Sequence, residues 1–179
     1  MKLRASAGTI GLESALWLDV EATGLGPASV PIEIGWSNLN GITEGFLIRP
    51  APKWTDWDLG AAVLHKIEQA QLLQDGISVE DAAEAVAEIT AGRAVYSDNP
   101  AHDARWLRVL YEAARWQGPQ IAFLDARNLA QSICRERRLG QIGWMEAEIQ
   151  AKREAFPTHR AQADARYWAT LTRILAMGP

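Results

Sequence analysis

The stretch LWLDVEATGLG, residues 16–26, sets two carboxylates, Asp19 and Glu21, into an apolar run that alternates as a buried strand does. An ionised carboxylate taken out of water is unfavourable unless it is paired, protonated or bound to a cation. Side chains two apart in a strand face the same way. Asp19 and Glu21 therefore project from one face with Trp17, and Leu16, Leu18 and Val20 take the other. Two like charges so placed repel, and a fold that keeps them needs positive charge from elsewhere. Thr23-Gly24-Leu25-Gly26-Pro27 then closes the strand in a tight turn. A D-x-E pair alone is a weak signal, because strand ends commonly carry acids.

Further acids stand where a surface helix would not put them. In NPAHDARWLRVLYEAARW, Asp103, Leu107, Leu110 and Ala114 follow the spacing i, i+4, i+7, i+11, so Asp103 lies on the apolar stripe of its helix. In HRAQADARYWATLTRIL, Asp164, Trp168, Leu171 and Leu175 repeat that spacing, and Asp164 also faces inward. One inward acid is readily explained by an arginine partner. Two helices and a strand doing the same is harder to explain that way. Four converging carboxylates call for hard divalent ions with oxygen ligands, Mg²⁺ or Mn²⁺. His159 precedes Asp164 by five residues, and five helical steps cannot return it to the same face. It is expected at the helix entrance, after Pro157 and an N-cap at Thr158, leaning over a site floored by Asp164. An imidazole there has the chemistry to take a proton from water. Judged singly, it is equally a surface histidine near a helix start.

The surrounding pattern predicts strands over Ala15–Glu21, Pro31–Asn38 and Ile42–Ile48, the last two joined by the hairpin signal Asn40-Gly41. A turn-rich connection, RPAPKWTDWDLG, leads into helical AAVLHKIEQAQLLQ and, beyond Gly76, VEDAAEAVAEITA. Ala94–Ser97 reads as a fourth strand, followed by a helix from Pro100 to Trp116. Ile121–Leu124 reads as a fifth strand, followed by helices near 126–138, 143–155 and 160–176. Three strands followed by alternating strands and helices predict a mixed five-stranded sheet flanked by helices, α/β, in a single domain. Residues 1–14 form a lead-in and 15–176 the domain.

Charge is uneven along the 179 residues: 5 Lys and Arg against 13 Asp and Glu in residues 1–90, then 13 against 9 in residues 91–179. Arginine supplies most of the later positive charge and suits forked contacts to phosphate. Solvated helix faces explain it as well. No run reaches the roughly 18 apolar residues of a membrane span, so no membrane partner is expected. The start shows no secretion signal, and the single cysteine, Cys134, excludes an internal disulfide. Both fit a cytoplasmic protein. Of the eight tryptophans, Trp17, Trp36, Trp106 and Trp168 fall at core positions. Trp54 and Trp57, in the connection, suit base stacking or packing equally.

Together these residues resemble the DEDDh exonucleases, 3′–5′ exonucleases with a ribonuclease-H-like fold that include polymerase proofreading subunits, oligoribonuclease and ribonuclease T. The family's D-x-E-x-T-G-L is matched by Asp19, Glu21, Thr23, Gly24 and Leu25. The stretch PIEIGW, residues 31–36, resembles its next strand. Its H-N-x-x-F-D followed by leucine is matched in part by SDNPAHDARWL, through Asn99, Asp103 and Leu107. Its H-x(4)-D-A is matched by His159, Asp164 and Ala165, and LHKIEQAQLLQDGIS resembles its linker helix. The likeness spans about residues 15–175. Asp98 stands where the family often has histidine, and is expected to cap the next helix rather than add a fifth carboxylate. His102 stands where phenylalanine is common and is expected to pack. Asp125 is read as a helix cap.

The resemblance implies hydrolysis of phosphodiesters at the 3′ end of single-stranded DNA or RNA, releasing nucleoside 5′-monophosphates with two Mg²⁺ or Mn²⁺ ions. It implies that Asp19 bridges both ions, that Glu21 and Asp164 hold the one on the nucleophile's side, and that Asp103 supports the second. His159 would take the proton from the attacking water. Ala22, Thr23, Gly24 and Asn99 would border the terminal nucleotide, and Leu25 would pack on its base as a sequence-tolerant wedge. An exoribonuclease of short or structured RNA, and an inactive nucleic-acid-binding module of the same fold, are the alternatives. Nothing in the sequence bears on oligomeric state.

Overall fold

The computed structural model describes residues 11–178. Up to residue 10, the lead-in expected over 1–14 lies outside the described residues; Leu12–Ser14 forms a short 3-10 turn. Five strands follow, β1 (Leu16–Ala22), β2 (Pro31–Ser37), β3 (Thr43–Leu47), β4 (Val95–Ser97) and β5 (Phe123–Asp125). They form one sheet in the order β3-β2-β1-β4-β5. β1 pairs antiparallel with β2 and parallel with β4; β2–β3 is antiparallel and β4–β5 parallel. The expected mixed sheet is therefore present, with β1 at its centre.

Among the described residues there are also seven α-helices: α1 (Leu59–His65), α2 (Gln69–Asp75), α3 (Val79–Thr90), α4 (Pro100–Ala113), α5 (Ala126–Glu136), α6 (Gly140–Glu154) and α7 (Ala161–Met177). The alternation of β1 divides them between the two faces of the sheet. Trp17 packs with Ala130, Ile133, Trp168 and Leu171 of α5 and α7. Leu18 and Val20 pack with Val86, Leu107 and Leu110 of α3 and α4. Both faces of β1 are buried, as a central strand requires.

Some local expectations are corrected. The segment AAVLHKIEQAQLLQ is two helices rather than one. Lys66 takes a left-handed conformation (φ 57°, ψ 28°) that ends α1, and Glu68 opens α2. Between them the Ile67 N–H donates to His65 Nδ1 instead of to the backbone four residues earlier. α6 starts at Gly140, earlier than periodicity indicated, and β5 starts two residues later than its apolar run and ends one residue later. Asp125 does cap α5, its carboxylate accepting from the Asn128 N–H at 2.7 Å.

Two glycines set how closely α7 approaches the sheet. A Cβ on Gly35 of β2 would collide with the backbone of Ala161 and Gln162, and one on Gly45 of β3 with the Gln162 side chain. Without those methyl groups the first turn of α7 lies directly on the strands. That contact brings the residues around 159–164 over the end of β1.

Candidate active site

β1 carries Asp19 and Glu21 to the end of the sheet, where the β1–β2 register shifts between Glu21 and Ala22. Such irregularities re-aim side chains at a sheet's end. Two groups of side chains assemble there. Ligand-type atoms of Glu21, His159 and Asp164 lie within 4.8 Å of one another, and so do those of Asp19, Asp98 and Asp103. The four acids and the histidine singled out in the sequence are thus brought together, and Asp98 joins them.

Asp103 sits in the first turn of α4, beyond the end of β4, and is 1% exposed. Its carboxylate accepts a hydrogen bond from Ser97 Oγ. Asp164 sits in the first turn of α7, where its Oδ1 accepts from the Thr158 N–H at 2.8 Å. This reverses the cap expected at Thr158: Arg160 holds the N-cap position without a side-chain cap, and Thr158 donates to the helix's own aspartate. His159 lies between them in a left-handed conformation (φ 56°), exposed at the helix entrance.

The helix start is held from the sheet. Glu33 of β2 is buried, and its carboxylate takes both Nε and Nη2 of Arg160 (3.0 Å and 2.6 Å) and the Ala161 N–H (2.9 Å). Glu33 is also the cross-strand partner of Glu21. Sequence reasoning passed over this clamp, although Glu33 breaks the apolar run PIEIG as Asp19 breaks LWLDV.

The turn after β1 is equally constrained. Thr23 donates its hydroxyl to Asp56 (2.8 Å) and its N–H to the Val30 carbonyl (2.9 Å), and its own carbonyl accepts from Asp58 N–H (2.9 Å). Thr23 therefore clamps the turn and has no free backbone donor. Ala22 is buried at the strand's end, and Gly24 passes so near Asp58 that a Cβ would stand 3.0 Å from its Cβ. Leu25 is 71% exposed. Its loop is tied to α4, because Arg105 donates to the Gly26 carbonyl (3.0 Å) and to Ser29 Oγ (2.9 Å). Arg105 and Ser29 were not foreseen. Asn99 bonds His102 Nδ1 at 2.8 Å, and the His102 ring stacks on Trp106 at 5.4 Å, the packing role expected of it. Trp54 and Trp57 are half-buried and, with Thr23 and Asp56, line a cavity of about 300 Å³.

The electrostatics are those of crowded acids. Burial, and then repulsion from Asp103, Glu21, Asp98 and Asp164, hold the Asp19 carboxyl well above its ordinary pKa. Burial raises Asp103 in the same way, opposed by the Ser97 hydrogen bond. Glu21 is pushed up to about 7, by burial first and Asp164 second, with Arg160 opposing. Asp164 is raised by burial and eased by the Thr158 N–H and by His159. Among the described residues no salt bridge reaches Asp19, Glu21, Asp98, Asp103 or Asp164. Five carboxylates without a salt bridge, together with an imidazole, form a hard, oxygen-rich donor set, which fits divalent cations of the Mg²⁺ or Mn²⁺ type.

A sequence profile described as Exonuclease, of the RNase T type, matches residues 16–172. The chain belongs to that exonuclease family. No curated protein matches the sequence. Among solved structures, the fold is similar to Escherichia coli exonuclease I in complex with a dT13 oligonucleotide (TM-score 0.65, 18% identity, covering 90% of this chain and 40% of that one). It is similar also to a moderately thermophilic exonuclease I from Methylocaldum szegediense (TM-score 0.68, 17%, 89% and 39%). A zinc-bound form of the E. coli exonuclease I complex with single-stranded DNA matches likewise (TM-score 0.63, 21%, 89% and 39%). These likenesses show the shared ribonuclease-H-like fold. The chain spans about two fifths of the length of these proteins.

Proposed function

We propose that the protein is a DEDDh-type 3′–5′ exonuclease that removes nucleoside 5′-monophosphates from single-stranded DNA with the help of two divalent ions. The observation that carries this reading is the meeting of Asp19, Glu21, Asp103, Asp164 and His159 at one end of β1, where among the described residues no salt bridge reaches the acids. Membership of an exonuclease family and a fold shared with exonuclease I bound to dT13 support it.

Asp19, Glu21, Asp103 and Asp164 would hold two Mg²⁺ or Mn²⁺ ions, which when bound supply charge stabilisation at the phosphate and acidify water. His159, exposed beside Glu21 and Asp164, takes the proton as the water oxygen attacks phosphorus. The P–O3′ bond then breaks, and the released 3′ oxygen gains a proton to become the new end of the strand. Asp164 and the Thr158 N–H hold the histidine's loop, and Arg160 fixes its other side through Glu33. The turn Ala22–Leu25 borders the carboxylates where the terminal nucleotide would lie. Leu25, large and apolar at the surface, packs on the last base without reading its edges, and Asn99 lies at the opposite border.

Incubation of 5′-labelled single-stranded DNA and RNA of equal sequence with the protein and Mn²⁺ tests the reading. A ladder shortening from the 3′ end, abolished by EDTA and lowered roughly 10³-fold or more by Asp19→Ala, is expected. Shortening of RNA alone would reassign the substrate. Absence of cleavage on both would leave a binding module.

A further inference from the structure

Asp98 departs from the family pattern and is not the helix cap that its position suggests. The N-cap of α4 is Asn99, which makes no side-chain cap bond. The neighbours of Asp98 are engaged. Ser97 Oγ bonds Asp103 and accepts the Asn99 N–H at 2.9 Å, and the Asn99 side chain bonds His102. Asp98 takes part in none of these bonds. It stands at the solvent side of the site, and a carboxylate oxygen of Asp98 lies within 4.8 Å of those of Asp19 and Asp103.

An exposed aspartate free to turn toward water has no reason to stay beside two like charges, the half-buried Asp19 and the buried Asp103. The short link from β4 to α4, braced on both sides through Ser97, keeps it there. Its charge also reaches all four site acids, since Asp98 contributes to the raised pKa of Asp19, Glu21, Asp103 and Asp164. Such a placement is unfavourable without a cation and favourable with one.

We infer that Asp98 is a fifth carboxylate ligand, closing from the solvent side the cation site that Asp19 and Asp103 form. The inference rests on the two-ion reading of the site. Added ligand charge tightens the hold of an oxygen site on a divalent ion. The ion at Asp19 and Asp103 is then the better retained of the two, and exchange falls to the one beside Glu21 and Asp164.

Counting free Mn²⁺ by electron paramagnetic resonance during titration of the parent protein and of Asp98→Asn tests this without substrate. The parent is expected to bind two ions per chain. The variant should keep one affinity unchanged and bind the other about ten- to a hundredfold more weakly. Equal affinities in the two proteins, or loss of both ions in the variant, would overturn the inference and leave the two-ion reading standing. A parent that binds no Mn²⁺ would overturn both. Without metal, Asp98→Asn should melt at or above the parent temperature, since one repulsive charge is gone. A lower melting temperature would mean that Asp98 serves the fold, and would overturn its role as a ligand.

Discussion

Asp19, Asp98 and Asp103 meet around a buried carboxylate, Asp103, which the core closes in, with Asp98 on their solvent side, whereas Glu21, His159 and Asp164 meet at the more open entrance of α7, where none of the three is fully buried. The first group contains only acids, and its one buried member, Asp103, finds a single hydroxyl, Ser97, for relief. The second has its own positive and polar partners: His159, the Thr158 N–H, and Arg160 nearby. On the proposed reading, the closed side would be completed by an added cation, and the open side would move a proton and let reactants pass. Position decides this difference, because the acids themselves are chemically alike.

The largest expected effect separates these two tasks. His159→Ala should lower the rate of 3′-end cleavage by about 10²- to 10⁴-fold, the usual worth of a general base. Binding of Mn²⁺, followed by titration, should stay as in the parent. Loss of metal affinity in that variant would make His159 a ligand and erase the division between the halves.

Next comes the link that holds the open half in place. Glu33→Gln keeps the shape of the side chain but weakens three charge-assisted hydrogen bonds, to Arg160 twice and to the Ala161 N–H. It should lower stability by about 2 kcal/mol, read by urea unfolding. It should also lower kcat by about ten- to a hundredfold through displacement of His159 and Asp164. Affinity for the ion at Asp19 and Asp103 should not change. An equal loss at both ions would show that the halves move as one.

The smallest effect is thermodynamic. A carboxylate whose folded-state pKa lies above its unfolded value stabilises the fold while protonated, and that stability is lost as pH rises through the interval between the two. For Glu21 the interval runs from 4.5 to about 7, and Asp19, Asp103 and Asp164 shift in the same direction. In EDTA the melting temperature should therefore fall as pH rises from 4.5 to 7. At pH 7, Mn²⁺ at about a hundredfold over its Kd should restore about 5–10 °C. A flat profile in EDTA would show that neither half is strained by its own carboxylates.

The same division governs what the sequence made legible. Asp19 and Glu21 could be placed because a strand's period of two is strict. Asp103 and Asp164 could be placed because each follows its helix's apolar stripe. The mixed five-stranded sheet and its flanking helices come from the same periodicities, whereas no local period gives the strand order β3-β2-β1-β4-β5. The clamp between Glu33 and Arg160 joins positions 127 apart, and no local period encodes such a pairing. Asp98 was read as a cap because aspartate before a helix usually caps it, but the chain here turns one residue later, at Asn99. The break at Lys66 escaped notice because a lysine in left-handed conformation carries no glycine to announce it.

Gly35 leaves the entrance of α7 resting directly on strand backbone, and at Gly45 only the Gln162 side chain lies between. That arrangement has no cushion: any displacement of the second strand passes undamped to the loop bearing the imidazole. Reactivity here depends on a gap too narrow for a single methyl group. Two residues outside the proposed chemistry would thus set its alignment, and even the smallest enlargement there would detune it while every proposed reacting group remained in the chain.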